Sequence, residues 1–170
     1  DFKVLFGENA KLTPKKDLSQ PGQYACEERV TVVGPKKEIK GVSILGPTRK
    51  ETQVELSATD ARSIGLPIAI RESGDLEGTP GCIVKGPKGE VEIPCGVIVA
   101  KRHIHMSTED AKRFGVTNGQ SVKVRFDTEK GGIMEDVIIR VDPTFTLEMH
   151  IDTDEANGLG VGKDMGILIK

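Results

Sequence analysis

The hydrophobic positions of this chain fall in short runs rich in valine and isoleucine, and glycine, proline or charged residues end each run. β-Branched residues in runs of about five, separated by turn-forming residues, are typical of strands. Gly-Pro pairs recur just after such runs, where proline removes a backbone donor. The pattern predicts a mainly β protein with short helices, built as a sandwich or as barrels. The clearest predicted strands span 30–33, 42–45, 97–99, 122–126 and 137–141.

One short segment recurs along the chain, at 55–65, 105–115 and 150–160. Each copy has an apolar second residue, a serine or aspartate in third place, an acidic sixth residue, an alanine next to it and a final glycine. Residues 1–7 resemble the end of a further copy and predict a helix. A fixed pattern that repeats in this way indicates one structural unit used several times.

Each copy predicts a strand that turns into a helix of about two turns. The third residue suits the N-cap, the acidic residue three positions later suits the capping box, and the glycine ends the helix. The cap pairs are Ser57 with Asp60, Ser107 with Asp110, and Asp152 with Glu155. The residue two before each cap closes the strand, and these residues are Glu55, His105 and His150.

All three histidines of the chain lie at or beside this strand-end position. His103 and His105 are two apart on a predicted strand, so their side chains share one face. If His150 lies opposite them, the three form a set suited to zinc with open positions for water or substrate. The alternatives are an exposed or hydrogen-bonded His-x-His and, for Glu55, an ordinary surface residue.

Arg49 follows the rigid turn 46–48 and stands six residues before Glu55. Arg49 could reach the strand ends that carry the candidate metal ligands and chelate phosphate there, although a solvated surface arginine is the simpler interpretation of its position alone. Cys95 has no activating base in the sequence, and we expect it to be a buried, inert thiol.

Composition narrows the classes of function. Lysine and arginine total 24 against 26 acidic residues, a net charge of −2, so we expect neither nucleic acid nor a membrane as a partner. No apolar run approaches the roughly 18–20 residues that cross a bilayer. Three cysteines without a Cys-x-x-Cys pattern argue against a disulfide framework and favour a soluble protein of the cytoplasm.

These motifs resemble the Pdu-type phosphotransacylases, or phosphate propanoyltransferases, which are associated with bacterial microcompartments. The likeness covers essentially the whole chain. It is carried by KRHIHMS at 101–107, LEMHIDTDEAN at 147–157, QPGQYA at 20–25, LGPTR at 45–49, QVELS at 53–57 and GTPG at 78–81.

The resemblance implies two small β-barrels capped by short helices, with two zinc ions between them. The expected domains are 1–100 and 101–170, the second completed by a strand that precedes Asp1. His103, His105 and His150 would hold one ion. Glu55 would hold the other ion together with an Arg-His-x-His strand of the family, and Arg49 would contact phosphate. That strand is not in this sequence, so one metal site is incomplete and we expect the chain alone to be inactive or poorly active.

The implied activity is reversible transfer of an acyl group from coenzyme A to inorganic phosphate, with propanoyl as the expected acyl group. The implied setting is the bacterial cytoplasm, in a microcompartment lumen, as a homodimer with shell or cargo proteins as partners. Two alternatives stay open. A non-enzymatic psi-loop-barrel adaptor would have the same caps without needing histidines, and a metal-dependent thioester hydrolase would use the same ligands with water as the nucleophile.

Overall fold

A computed structural model of the chain describes residues 1–163 and 165–169. It divides into two compact units, Asp1–Val99 and Ala100–Lys170. Strands hold 39% of the described residues and helices 15%, which confirms the predicted mainly β class with short helices. No helix in the described ranges has the length and apolar character needed to span a membrane.

The first unit consists of one five-stranded sheet, one three-stranded sheet and two short helices. Its elements are α1 (Phe2–Phe6), β1 (Pro14–Asp17), β2 (Tyr24–Val33), β3 (Glu38–Gly46), β4 (Val54–Glu55), α2 (Ala58–Ser63), β5 (Ile70–Arg71), β6 (Cys82–Lys85), β7 (Glu90–Ile93) and β8 (Val97–Ala100). The larger sheet runs β1-β2-β6-β7 with β3 also paired to β2, and the smaller one runs β4-β8-β5. Val32 and Ile64 are fully buried in the core of this unit.

The second unit contains one five-stranded sheet and two helices. Its elements are β9 (His103–Met106), α3 (Thr108–Phe114), β10 (Ser121–Phe126), β11 (Gly132–Val141), β12 (Glu148–His150), α4 (Thr153–Leu159) and β13 (Ile167–Ile169). The order is β12-β9-β11-β10-β13, with β9 parallel to β11 and antiparallel to β12. In the described strands this sheet is curled like half a barrel, and closure into a barrel stays a prediction.

Hydrophobic alternation decides which face of this sheet is buried. In β10 the side chains of Val122, Val124 and Phe126 are buried while the intervening polar residues are exposed, as the period of two requires. Together with Met106 and Val137 they belong to the core of the second unit.

The recurring segment forms the predicted strand-to-helix corner three times. Ser57, Ser107 and Asp152 are the N-caps of α2, α3 and α4, and each side chain accepts from the backbone N–H three residues later. The capping box is complete at α3 and α4, and Gly115 and Gly160 end these helices in the left-handed conformation. The first copy differs, because α2 ends at Ile64 rather than at a glycine.

Candidate functional site

The pairing of β9 with β12 brings the three histidines together. His103 and His105 occupy the same face of β9, and His150 on β12 is the direct partner of His103 in the antiparallel register. The ring centroids are 4.6 Å apart for His103 and His105, 4.9 Å for His103 and His150, and 4.7 Å for His105 and His150. One candidate ligand nitrogen from each ring lies within 4.8 Å of the others.

The ring nitrogens are arranged so that lone pairs can converge. His103 Nδ1 lies 2.8 Å from the carbonyl oxygen of Lys101. A carbonyl only accepts, so this nitrogen carries the proton and Nε2 carries the lone pair. His105 Nδ1 and His150 Nε2 are 3.1 Å apart. At that distance either one donates to the other or both present lone pairs to a shared cation.

Burial keeps two of these imidazoles neutral. Removal from water, with smaller electrostatic contributions from His103 and Arg140, lowers the pKa of His105 to about 3 and that of His150 to about 4. The Glu148 carboxylate lies 3.6 Å from His150 Nε2. Because a neutral imidazole carries no charge, that contact is not an ion pair. Both rings therefore offer lone pairs at neutral pH, which metal binding requires.

The donor set fits a divalent metal. Neutral imidazole nitrogens suit zinc, and three protein ligands leave a coordination position for water or substrate. The histidines thus meet as the sequence predicted, and the metal and its identity stay predictions. The chemistry of these three side chains does not conflict with the expected zinc.

Two neighbours of the histidines carried no signal in the sequence. The Phe145 ring lies 4.3 Å from the His105 ring, centroid to centroid, tilted by 48°, and thus packs against one candidate ligand. Arg140 is the direct partner of His105 in the parallel β9–β11 register. Neither residue belongs to the recurring segment, and only the β11 register and the turn before β12 bring them here.

In the first unit, Arg49 and Glu55 lie at the two ends of one hydrogen-bonded chain. Arg49 Nη1 donates to Ser73 Oγ at 2.8 Å, and Gln53 Nε2 donates to the same oxygen at 2.9 Å and to Glu55 Oε1 at 2.6 Å. From its position in the sequence Arg49 could reach Glu55 or be a solvated surface side chain; it is exposed, and the chain through Ser73 and Gln53 connects it to Glu55. Gln53 could have been noticed, since it lies two residues before Glu55 in the sequence. Ser73 carried no sequence signal.

Cys95 differs from its prediction. Its side chain is half-buried rather than buried, whereas Cys26 and Cys82 are buried. Cys95 lies in the turn between β7 and β8, where the alternation of the strands is interrupted, so it stays outside the core that contains Ile93 and Val97.

Comparison with known proteins gives a consistent family. The family model described as phosphate propanoyltransferase matches residues 1–162. A phosphate propanoyltransferase of Sebaldella termitidis is 58% identical over 159 residues, which are 94% of this chain and 75% of that protein. The phosphate propanoyltransferase of Thermotoga maritima is 54% identical over 92% of this chain and 75% of that protein. That of Rhodobacter capsulatus is 48% identical over 100% of this chain and 79% of that protein. The chain therefore belongs to the phosphate propanoyltransferase family of transferases.

Proposed function

We propose that this phosphate acyltransferase converts an acyl-CoA, with propanoyl-CoA as the expected donor, and inorganic phosphate into an acyl phosphate and coenzyme A. Beyond the family itself, the observation that carries the proposal is the convergence of three imidazoles on one face of β9 and β12. Such an open set of nitrogen donors is typical of catalytic rather than structural metal sites.

The reaction balances without an acyl-enzyme. A phosphate oxygen attacks the thioester carbonyl carbon, a carbon–oxygen bond forms, the carbon–sulfur bond breaks, and the phosphate proton ends on the thiol of coenzyme A. The protein then has two tasks, which are to orient the phosphate and to stabilise negative charge on oxygen and sulfur.

In the proposal, His103, His105 and His150 hold one zinc ion. Bound there, zinc would supply Lewis-acid stabilisation of anionic oxygen or of the departing thiolate. The residues themselves do the preparatory work. Burial keeps His105 and His150 unprotonated, and the Lys101 carbonyl fixes the tautomer of His103, as backbone acceptors commonly do for metal ligands.

Arg49 is proposed to bind the phosphate, and Glu55 to be a ligand of a second ion. One N–H of Arg49 is engaged by Ser73, and a guanidinium has four more with which to chelate an anion. Glu55 is exposed at the end of β4 and offers a carboxylate oxygen, a ligand that zinc also accepts.

The proposed setting rests on the family likeness. We propose that the protein acts as a homodimer in the bacterial cytoplasm, inside a microcompartment with its shell or cargo proteins. Size-exclusion chromatography and co-purification with shell proteins test these two statements separately.

The deciding experiment measures thiol release from propanoyl-CoA by the purified full-length protein, with and without phosphate. We expect release to depend on phosphate and acyl phosphate to accumulate in equal amount. Equal thiol release without phosphate would instead identify a thioester hydrolase. No thiol release together with no bound metal would identify a non-enzymatic psi-loop-barrel adaptor.

A matched pair of variants tests the metal assignment. His150→Ala should lose the zinc of this site, measured by elemental analysis, and at least about 100-fold in rate, since the loss of one of three ligands disables the site. Lys112→Ala changes an exposed position of α3 and should retain both. Unchanged metal content and rate in His150→Ala would remove this assignment.

A further inference from the structure

Gln53 and Ser73 form a neutral bridge between Arg49 and Glu55, two side chains of opposite charge. Three hydrogen bonds of 2.6–2.9 Å connect the four residues. We infer that Gln53 and Ser73 are positioning residues, which orient the Arg49 guanidinium for phosphate and the Glu55 carboxylate for a cation. The inference rests on the roles given to Arg49 and Glu55 under the proposed function.

The orientation of the Gln53 amide is determined by its surroundings. The backbone N–H of Gly74 donates to Gln53 Oε1 at 2.8 Å. Because an N–H needs an acceptor, the amide oxygen must face Gly74 and the NH2 group must face Glu55 and Ser73. Both amide hydrogens are then used, one on Glu55 Oε1 and one on Ser73 Oγ. An inverted amide would set its NH2 group against the Gly74 N–H and its oxygen against Glu55 Oε1, so Gln53 has one orientation here.

The bridge leaves the charges of Arg49 and Glu55 available. Within the described ranges no ion pair joins these two residues. A direct pair would use guanidinium N–H groups and carboxylate oxygens on each other. Contact through neutral groups instead takes one nitrogen of Arg49 and one oxygen of Glu55, and Oε2 of Glu55 and the rest of the guanidinium stay able to bind ligands.

A purely structural role explains this arrangement poorly. Arg49 and Glu55 are exposed, and Gln53 and Ser73 are only half-buried. Hydrogen bonds in such positions contribute little to folding, because water replaces them in the unfolded chain. Ordering four long or mobile side chains at a surface also costs side-chain entropy. The arrangement is better explained by what it does to the two charged ends.

The test compares Ser73→Ala with Ser73→Thr and Gln53→Met in the full-length protein. Ser73→Ala should raise the KM for phosphate about tenfold, the usual effect of losing one hydrogen bond to a charged group, with little change in kcat. Ser73→Thr keeps a hydroxyl and should restore the KM. Gln53→Met should raise the KM for phosphate and also weaken zinc binding, which Ser73→Ala should leave unchanged.

Binding and folding are measured apart from turnover. Calorimetric titration with inorganic phosphate should show the same tenfold loss for Ser73→Ala, and its thermal unfolding should match that of the wild type. Glu72→Gln, an exposed neighbour of Ser73, is the control and should behave as the wild type throughout.

The variant Arg49→Ala distinguishes failure of the positioning inference from failure of the phosphate-binding role proposed for Arg49. If it weakens phosphate binding while Ser73→Ala does not, the bridge has no positioning role and the inference is wrong, although the proposed function stands. If Arg49→Ala itself leaves phosphate binding unchanged, Arg49 is not the phosphate ligand, and the inference falls with that assignment. Loss of thermal stability in Ser73→Ala with unchanged phosphate binding would make the bridge structural.

Discussion

At the scale of single residues, the local environment decides what each side chain can do. An imidazole in water is partly protonated near neutral pH, but burial makes His105 and His150 lone-pair donors.

A second case is Asp136 in β11, which adopts φ of 55°. It lies where the β10–β11 register shifts between Val122 and Val124, so the left-handed conformation accommodates an extra residue in β11.

Asp136→Val should destabilise the protein by about 1–2 kcal/mol, the ordinary cost of a left-handed conformation for a residue with a bulky Cβ. Glu135→Val is the matched control, because Glu135 has no positive φ and valine favours strands. Chemical denaturation followed by circular dichroism measures both. Equal stability of the two variants would show that the conformation of Asp136 carries no strain.

The charge of Asp136 should make its contribution to stability depend on pH. A hydrogen bond from the Lys101 ammonium, at 3.0 Å, and one from Ser121 hold the pKa of Asp136 below its ordinary value. A carboxyl with a lowered folded-state pKa adds stability above its unfolded pKa and loses it as pH falls through the folded pKa. The stability difference between the wild type and Asp136→Asn should therefore be present at neutral pH and vanish in acid.

Lys101, the ion-pair partner of Asp136, supplies the control for this pH dependence. In a Lys101→Met background the same comparison should show a smaller difference at neutral pH, since the main cause of the lowered pKa is gone. A difference that is independent of pH, or one that grows in acid, would contradict the prediction.

At the scale of elements, the strand-to-helix corner is the unit that the sequence repeats. In α3 the Ser107 side chain accepts from Asp110 N at 3.0 Å, and Asp110 Oδ2 accepts from Ser107 N at 3.4 Å. These bonds satisfy N–H groups that a helix start leaves without partners. They also fix where α3 begins, with only the N-cap residue between it and the strand that carries His103 and His105.

Ser107→Ala should cost about 1 kcal/mol of stability, the usual effect of losing an N-cap. Ser107→Thr keeps the hydroxyl, which also donates to Asp110 Oδ2 at 2.8 Å, and should be close to neutral, and Thr108→Ala, at the exposed next residue, is the control. Urea denaturation measures all three. If Ser107→Ala proves as stable as Thr108→Ala, the capping box contributes nothing to this corner.

At the scale of the whole molecule, two compact units each bury a core of their own. The three cysteines all belong to the first unit, and none is paired. Burial raises the pKa of Cys82 to about 11 and raises that of Cys26. A higher pKa leaves less thiolate, so both thiols should be slow to react.

Ellman's reagent at pH 8 should therefore modify one thiol of the native protein quickly and all three after unfolding. Cys95→Ser should remove the fast reaction, and Cys26→Ser should leave it in place. Two fast thiols in the native protein would mean that Cys82 or Cys26 is more accessible than the fold indicates.

The sequence by itself determined whatever depends on local spacing. Short runs rich in valine and isoleucine predicted strands such as β10, the recurring segment predicted three capped helices, and the i, i+2 spacing placed His103 and His105 on one face. These features form from neighbouring residues, so their signals lie within a few positions of each other.

Only the tertiary structure decided which distant residues meet. The antiparallel register sets His150 opposite His103, the parallel register sets Arg140 beside His105, and the loop after β5 brings Ser73 to Arg49. Strand pairing and loop closure act between residues far apart in the chain, and no local pattern encodes which partner a strand edge selects. The sequence thus determined the donors at each strand end, and folding determined which of them share a site.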